Sequence, residues 1–289
     1  MSSAISGLRN HQTYMDVVGH NIANVNTVGY KASRINFKEA LAQTYSVGSA
    51  PVANGIGGTN PIQVGLGVVM GGVDTIMTQG PMTTTGKTTD LAIQGQGFFM
   101  LGTTLDATTG GYAPAYFTRD GAFALDKDGY LVDPVSGNYV LGALADPANP
   151  ATGYTPGEVK RVQIDPAWGW ASFSISNDGK ITGVKADGTT DTTNRPRVLL
   201  AKFNNPEGLV RAGGNLFRAG LNSGSPSIAP PGDNTQGMGS LMSGTLEASN
   251  VDLAEQFSRM IMAERGFQAN SRIITASDEM LQDLVNMKR

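Results

Sequence analysis

The chain has no cysteine, which excludes disulfides, thiolate metal sites and a cysteine nucleophile and leaves the redox compartment open. Histidine is almost as scarce. His11 and His20 are the two, nine residues apart near the front; on a helix that spacing puts them on roughly opposite sides, at ~100° per residue, so they cannot share a metal within one copy. No histidine falls in the middle of the chain to activate a serine there. Charge is sparse as well: 16% charged residues and a formal net charge of -3 give no basic footprint for nucleic acid or an anionic membrane. No apolar run approaches the roughly 18 residues that span a bilayer, and Met1-Ser2-Ser3-Ala4 lacks the basic and apolar regions of a secretory signal. A soluble protein without membrane insertion, not secreted by the ordinary route, is expected.

Glycine is abundant, with 38 copies in 289 residues against an average near ~7%. It gathers with Asn, Asp and Thr at turns, so many short strands are implied. Strand-like runs cover Asp90 to Ile93, Phe98 to Leu101, Tyr116 to Thr118, Phe123 to Leu125 and Tyr130 to Val132, with a buried strand over Val198 to Phe203. Asp120-Gly121, Asp128-Gly129, Asp178-Gly179 and Asp187-Gly188 punctuate them as hairpins.

The two ends read differently. Leu253, Met260, Phe267, Ile274 and Leu281 recur at every seventh position, which is a helical seam. At the front Leu8, Met15 and Ile22 keep the same period, and Ile5, Val18 and Val25 widen the stripe. The first helix is expected from about Ser3 to Val25, stopping in Asn24-Val25-Asn26-Thr27-Val28-Gly29 with Gly29 as a left-handed cap. Asp252 supplies an N-cap for the last helix. A second seam is mostly missing there, because Phe257 and Val285 are apolar but Glu264, Ser271 and Asp278 between them are not. Burying five large apolar side chains returns roughly 1.5–3 kcal/mol each, against about 1–2 kcal/mol per residue to order the backbone. A lone helix pair is therefore marginal, and its cover comes either from the chain's own β core or from other copies.

Between Ser46 and Gly72 the text is a connector, with Gly55, Gly57, Gly58, Gly65, Gly67, Gly71 and Gly72, expected to be extended or adaptable rather than packed. Tyr30 to Gln43 fits either a short helix or an extended arm. The fold class is α+β, with paired N- and C-terminal amphipathic helices enclosing a mainly β, glycine-rich central body. The division reads as residues 1–29 with 250–289 for the helices, 30–75 with 236–249 for a connecting arm, 76–145 with 198–235 for a β domain, and 146–197 for a small insertion.

Several sites tempt and fail. Thr84-Thr85-Gly86-Lys87-Thr88 imitates the end of a phosphate-binding loop, but Pro81 stands where its first glycine belongs and a strand follows instead of a helix. Gly95-Gln96-Gly97 opens a dinucleotide fingerprint that Met100 breaks. Asp126, Asp128 and Gly129 begin a calcium loop that no glutamate closes. Trp168, Trp170 and Tyr154 could stack a sugar, although such aromatics more often pack an insertion. No catalytic residue, cofactor or metal ligand emerges, and the chain does not read as an enzyme.

Specific residues carry a resemblance. Asn21-Ile22-Ala23-Asn24-Val25-Asn26-Thr27-Val28-Gly29-Tyr30-Lys31 resembles the signature of bacterial flagellar rod and hook proteins. Asp90-Leu91-Ala92-Ile93-Gln94-Gly95-Gln96-Gly97-Phe98-Phe99, Asn205-Pro206-Glu207-Gly208-Leu209 and the final helix add to it, so the likeness covers nearly the whole chain. Ser249-Asn250-Val251-Asp252-Leu253, Arg265 to Asn270 and Ser277 to Leu281 are most similar to the hook branch, with the distal rod branch as near neighbour. Rod members tend to carry Ala-Tyr where this chain has Gly266-Phe267. Members also begin several residues before the Ser-Ala-Ile-Ser-Gly equivalent, whereas here Met1 stands almost directly against Ser3.

The resemblance implies a homo-polymer in the form of a hollow helical tube, with terminal helices inside and β domains outside, acting as a flexible torque-transmitting joint. The implied partners are the distal rod protein, the hook-filament junction proteins, the hook cap and the flagellar export apparatus. Export without a cleaved signal to the extracellular hook or basal body is implied, and the glycines of the connector become its hinge.

Overall fold

The computed structural model describes residues 2–51, 57–102, 114–143, 159–191 and 196–287. The chain is mixed helix and strand, with one long helix near each end and a mostly β body between them. It divides into two compact units. One comprises Met1–Asn24, Ala32–Ile76 and Val251–Arg289; the other comprises Val25–Lys31 and Met77–Asn250.

The first unit holds α1 (Ser2–Ala23), β1 (Ser33–Glu39), β2 (Ala42–Ser46), β3 (Ile62–Gly65), β4 (Val68–Thr75) and α2 (Leu253–Asn286). α1 stops at Ala23 because Asn24 turns its amide group back onto the His20 carbonyl at 2.9 Å, offering the chain an alternative to another helical turn. α2 starts where the sequence indicates. Asp252 lies in extended backbone and its side chain accepts from the Ala254 and Glu255 N–H groups, satisfying donors that have no partner in the first turn.

Within the segment read as an extended or adaptable connector, residues 62–65 and 68–72 are extended strands of a paired ribbon. β1 runs antiparallel to β4 and β2 antiparallel to β3, and the Ala40 N–H bonds to the Gly67 carbonyl where the two ladders meet. Alternating β-branched and aromatic residues such as Ile35, Phe37, Ile62, Val64 and Val73 suit a pleated surface and outweigh the glycines. Pairing also gives the backbone groups their partners. The same ladder makes Ser33–Glu39 a strand. Gly55 lies outside the described residues.

In the second unit an 11-stranded sheet among the described residues is organised around the strand Phe98–Gly102, every residue of which is buried. Its continuous apolar text reflects burial on both faces. Phe99 and Leu101 enter a core with Leu91, Ile93, Phe123 and Leu200, whereas Phe98 and Met100 enter another with Phe117, Leu141 and Phe203. Residues 236–249 belong to this unit and not to the arm: Ser240–Ser243 pairs with Leu91–Gln94 and Thr245–Glu247 with Met82–Thr84. The run from Val198 to Phe203 is broken into Arg197–Val198 and Leu200–Lys202. Residues 159–191 cluster with the body; 146–158 and 192–195, also read as insertion, lie outside the described residues. Gly129, Gly179 and Gly188 take φ between 77° and 82°, as Asp-Gly turns require. No helix among the described residues is long and apolar enough to cross a membrane.

Candidate self-assembly surface

α1 and α2 are antiparallel, and three contacts fix their register. Asn21 donates to Gln256 at 3.1 Å, Gly266 faces the His11 ring, and Gly7 faces the Asn270 amide group. The residue numbers of each pair add to 277. A Cβ on Gly266 would lie 2.5 Å from His11 Cε1, and one on Gly7 would lie 2.8 Å from Asn270 Nδ2. The helices approach this closely because both positions lack a side chain. Asn21, fully buried, also exchanges two hydrogen bonds with the Ser33 backbone, at 2.8 and 2.9 Å. It ties α1, α2 and the start of β1 together.

The contact line of α1 runs through Ala4, Gly7, His11, Tyr14, Val18 and Asn21, of which Ala4, Gly7, Val18 and Asn21 are buried. Of the stripe singled out from periodicity, Val18 is on this line, Leu8, Met15 and Ile22 flank it half-buried, and Ile5 is exposed. Val25 is not on the helix at all, because α1 ends at Ala23. On α2 the inward seam is Gln256, Ala263, Asn270 and Ser277, again seven apart, with Gln256 and Ala263 buried. The second seam is therefore present, three residues after the apolar one and built from small and polar side chains.

The apolar seam sits at the flank of the pair. Met260, Phe267 and Ile274 are half-buried, while Leu253 and Leu281 are 40% and 52% exposed. Phe257, Ile261, Met262, Ile273, Met280, Leu284 and Val285 are exposed as well. The pair thus centres on polar and small residues together with Val18, and leaves its other large apolar side chains half-buried or exposed, unlike a soluble zipper. Heptad counting finds the large residues but misses Asn21, Gln256 and Asn270; polar side chains at heptad spacing in the helix interior are the signal that could have found them.

α1 also packs on the ribbon. Asn10 donates to the Val68 carbonyl at 2.7 Å, and the Ser6 hydroxyl accepts from the Val68 N–H at 3.3 Å. Phe37 meets Tyr14 edge-on at 5.7 Å and His11 at 6.3 Å between ring centroids. Gly67, with φ 112°, is a point of close approach, since a Cβ there would lie 2.2 Å from Ser6 Oγ. Gly65 and Gly72 are paired in the ladders, Gly71 is the extra residue of a bulge in β4, and nothing stands within 4 Å of a Cβ at Gly57. Along the ribbon Leu41, Tyr45, Val47, Ile62, Val64 and Val69 are exposed. A two-stranded ribbon is marginal in water without an apolar cover, which makes these side chains a candidate interaction surface.

In the body, polar groups are spent on structure. Lys87 donates to the Phe123 carbonyl at 2.8 Å and Thr85 to Asp90 at 2.7 Å, so the Gly-Lys-Thr run is a turn. The Gly95 and Gly97 backbones take φ of 108° and 134° in a strand-end turn. The Gly129 N–H closes a hairpin turn onto the Asp126 carbonyl. Trp170 lies flat on Gly183, donates to Asp191 at 3.1 Å and packs against the core; Trp168 meets it at 4.9 Å. Tyr154 lies outside the described residues. Burial lowers the pKa of the Lys31 ammonium and the Arg119 guanidinium from their ordinary values, against the opposing pull of Glu247. Among the described residues no group of three His, Asp or Glu could hold a metal ion.

A helix pair centred on small and polar residues, a ribbon with exposed apolar side chains and a body whose polar groups are taken up in its own hydrogen bonds make these surfaces the candidate interaction site among the described residues. Known proteins carry this further. Residues 1–31 match the family model for flagella basal body rod proteins, residues 92–183 the D1 domain of the flagellar hook proteins FlgE/F/G, and residues 242–287 the C-terminal region of the flagellar basal body rod FlgEFG proteins. The flagellar basal-body rod protein FlgG of Bacillus subtilis is 47% identical over 99% of this chain and 98% of its own length. That of Caulobacter vibrioides is 34% identical over 98% and 96%. The flagellar hook protein FlgE of Borreliella burgdorferi is 29% identical over 99% and 98%, in an alignment of 450 positions. The chain belongs to the flagellar rod and hook axial protein family, structural components that polymerise in the flagellar basal body.

Proposed function

We propose that this chain is a distal rod subunit, assembling with copies of itself into a straight hollow shaft that passes torque outward from the motor. The observation that carries this reading is 47% identity to a basal-body rod protein across 99% of the chain, against 29% to a hook protein whose alignment needs 450 positions. Overall likeness thus favours the rod branch over the hook branch indicated by short motifs. The ribbon supports it. A paired ladder in which Gly65 and Gly72 have strand partners resists bending better than an open glycine connector, so the arm acts as a brace between neighbours and not as a hinge.

In this reading α1 and α2 line the channel. Ile5, Leu8, Met15, Val18, Ile22, Leu253, Met260, Phe267, Ile274 and Leu281 belong to the helical layer, and the outward members among them, with Phe257, Ile261 and Met262, are covered by adjacent subunits. The subunit leaves the cell through the flagellar export apparatus and stacks against other axial proteins of the rod and hook. A hook subunit is the second reading, favoured by Gly266-Phe267 in place of the Ala-Tyr pair of rod members. It would add the junction proteins and cap as partners and make the tube a bending joint. Electron microscopy of polymers grown from the purified chain separates the two. Straight tubes are expected; curved, supercoiled tubes would transfer the chain to the hook, and a chain that never polymerises would remove both readings.

A further inference from the structure

The β body buries a charged knot around one carboxylate. Glu247 is fully buried, and Lys31 and Arg119 are 1% and 5% exposed. Glu247 Oε1 accepts from Lys31 Nζ at 2.6 Å and from the Gly80 N–H at 2.9 Å; Oε2 accepts from Arg119 Nη1 at 3.2 Å. The Glu247 carbonyl accepts from the Gly29 N–H at 2.8 Å. Lys31 Nζ also donates to the Thr78 carbonyl at 2.8 Å, which takes a second bond from Asn250 Nδ2 at 3.1 Å. The Asn250 N–H reaches the Tyr30 carbonyl at 3.4 Å, and the Arg211 guanidinium holds the Lys31 carbonyl. Arg119 fastens the cluster to the sheet, donating to the Gly95 carbonyl at 2.7 Å with its guanidinium over the Phe98 ring.

Three separate segments meet here: Gly29 to Lys31, Thr78 to Gly80, and Glu247 to Asn250. Each lies within two residues of a place where the chain passes between its two units, at 31/32, 76/77 and 250/251. Stability alone does not explain the choice of charges, because well-packed apolar residues of similar volume often serve a buried site equally well, while removal of one partner strands an unpaired charge. What the carboxylate adds is valence. One group with two oxygens takes donors from three parts of the chain in fixed directions, so no segment can be drawn out without breaking several charge-assisted bonds together.

We infer that Lys31, Arg119 and Glu247 are an anchor, positioning residues that hold the segments entering the β body against pull so that force reaching them is passed into the sheet. The inference rests on the force-carrying role proposed above, yet it is testable on single chains. The full-length chain has no cysteine, so Asn26→Cys and Val135→Cys, both exposed positions, give two attachment points for pulling. Glu247→Gln is expected to lower the force that frees the segment around Gly29 at least twofold. It should also speed amide exchange at Gly29 and Gly80 about tenfold, with Phe99 and Leu101 unchanged. Equal rupture forces, or acceleration spread evenly over the whole body, would overturn the anchor and leave the rod reading standing. Curved polymers would remove the rod reading and leave the anchor untouched. If Glu247→Gln does not fold, Lys31→Met, which keeps the Glu247–Arg119 pair, carries the same test with the same outcomes.

Discussion

A glycine in a helix is ordinarily a defect of about 1 kcal/mol relative to alanine, and Gly266 inverts that rule. Its missing Cβ makes room for His11, whose ring has Phe37 beyond it in the ribbon and cannot easily retreat. Overpacking costs about 1–3 kcal/mol, which outweighs the gain in helix propensity. Gly266→Ala is therefore expected to raise the critical concentration for polymerisation roughly tenfold, since 1.4 kcal/mol corresponds to a factor of ten. Adding His11→Ala removes the ring and should restore most of the loss. Sedimentation of polymer against concentration measures both, and a double variant no better than the single would show that the notch does not set the pairing. Residues like these carry little signal in the sequence. Gly266 was read for its likeness to family members, and neither it nor Gly7 belongs to the apolar repeats, because a notch is defined by the partner that fills it.

At the scale of elements, the last turns of α2, which runs to Asn286, carry a run of exposed apolar side chains. On that stretch Met280, Leu281, Leu284 and Val285 are all more than half exposed. Covering each returns about 1.5–3 kcal/mol, so replacing Leu281, Leu284 and Val285 together by serine is expected to abolish polymerisation at micromolar concentration. The β body lies outside that stretch, and its melting temperature should stay within a few degrees; a variant that still polymerises normally would mean that the tail faces solvent in the assembly. Element boundaries were largely legible. α1 was expected over Ser3 to Val25 and spans Ser2–Ala23, and Asp252 caps α2 as read. The ribbon was not legible as such, because glycine density masks pairing that depends on residues about 20 to 40 positions away, as between Ile35 and Val73 or Thr44 and Gln63.

At the scale of the whole chain, the β body is expected to stand alone. Its cores close without any residue of α1 or α2, whereas the helices leave many of their large apolar groups exposed. Removing residues before Val25 and after Asn250, which keeps the knot around Glu247 complete, should give a protein that unfolds cooperatively by calorimetry and forms no polymer by electron microscopy. Tubes from the trimmed chain would show that the termini are not the assembly elements. The sequence by itself determined the helical ends, the turn-punctuated β middle and the surplus of apolar surface, because hydrophobic period, capping and turn chemistry are written in neighbours a few positions apart. Tertiary structure alone decided which face of each helix turns inward, since that depends on how Gly7 and Gly266 admit Asn270 and His11. It also decided that a carboxylate at position 247 would gather donors 216 and 128 residues away, because partners at such separations are chosen by the folded path of the chain.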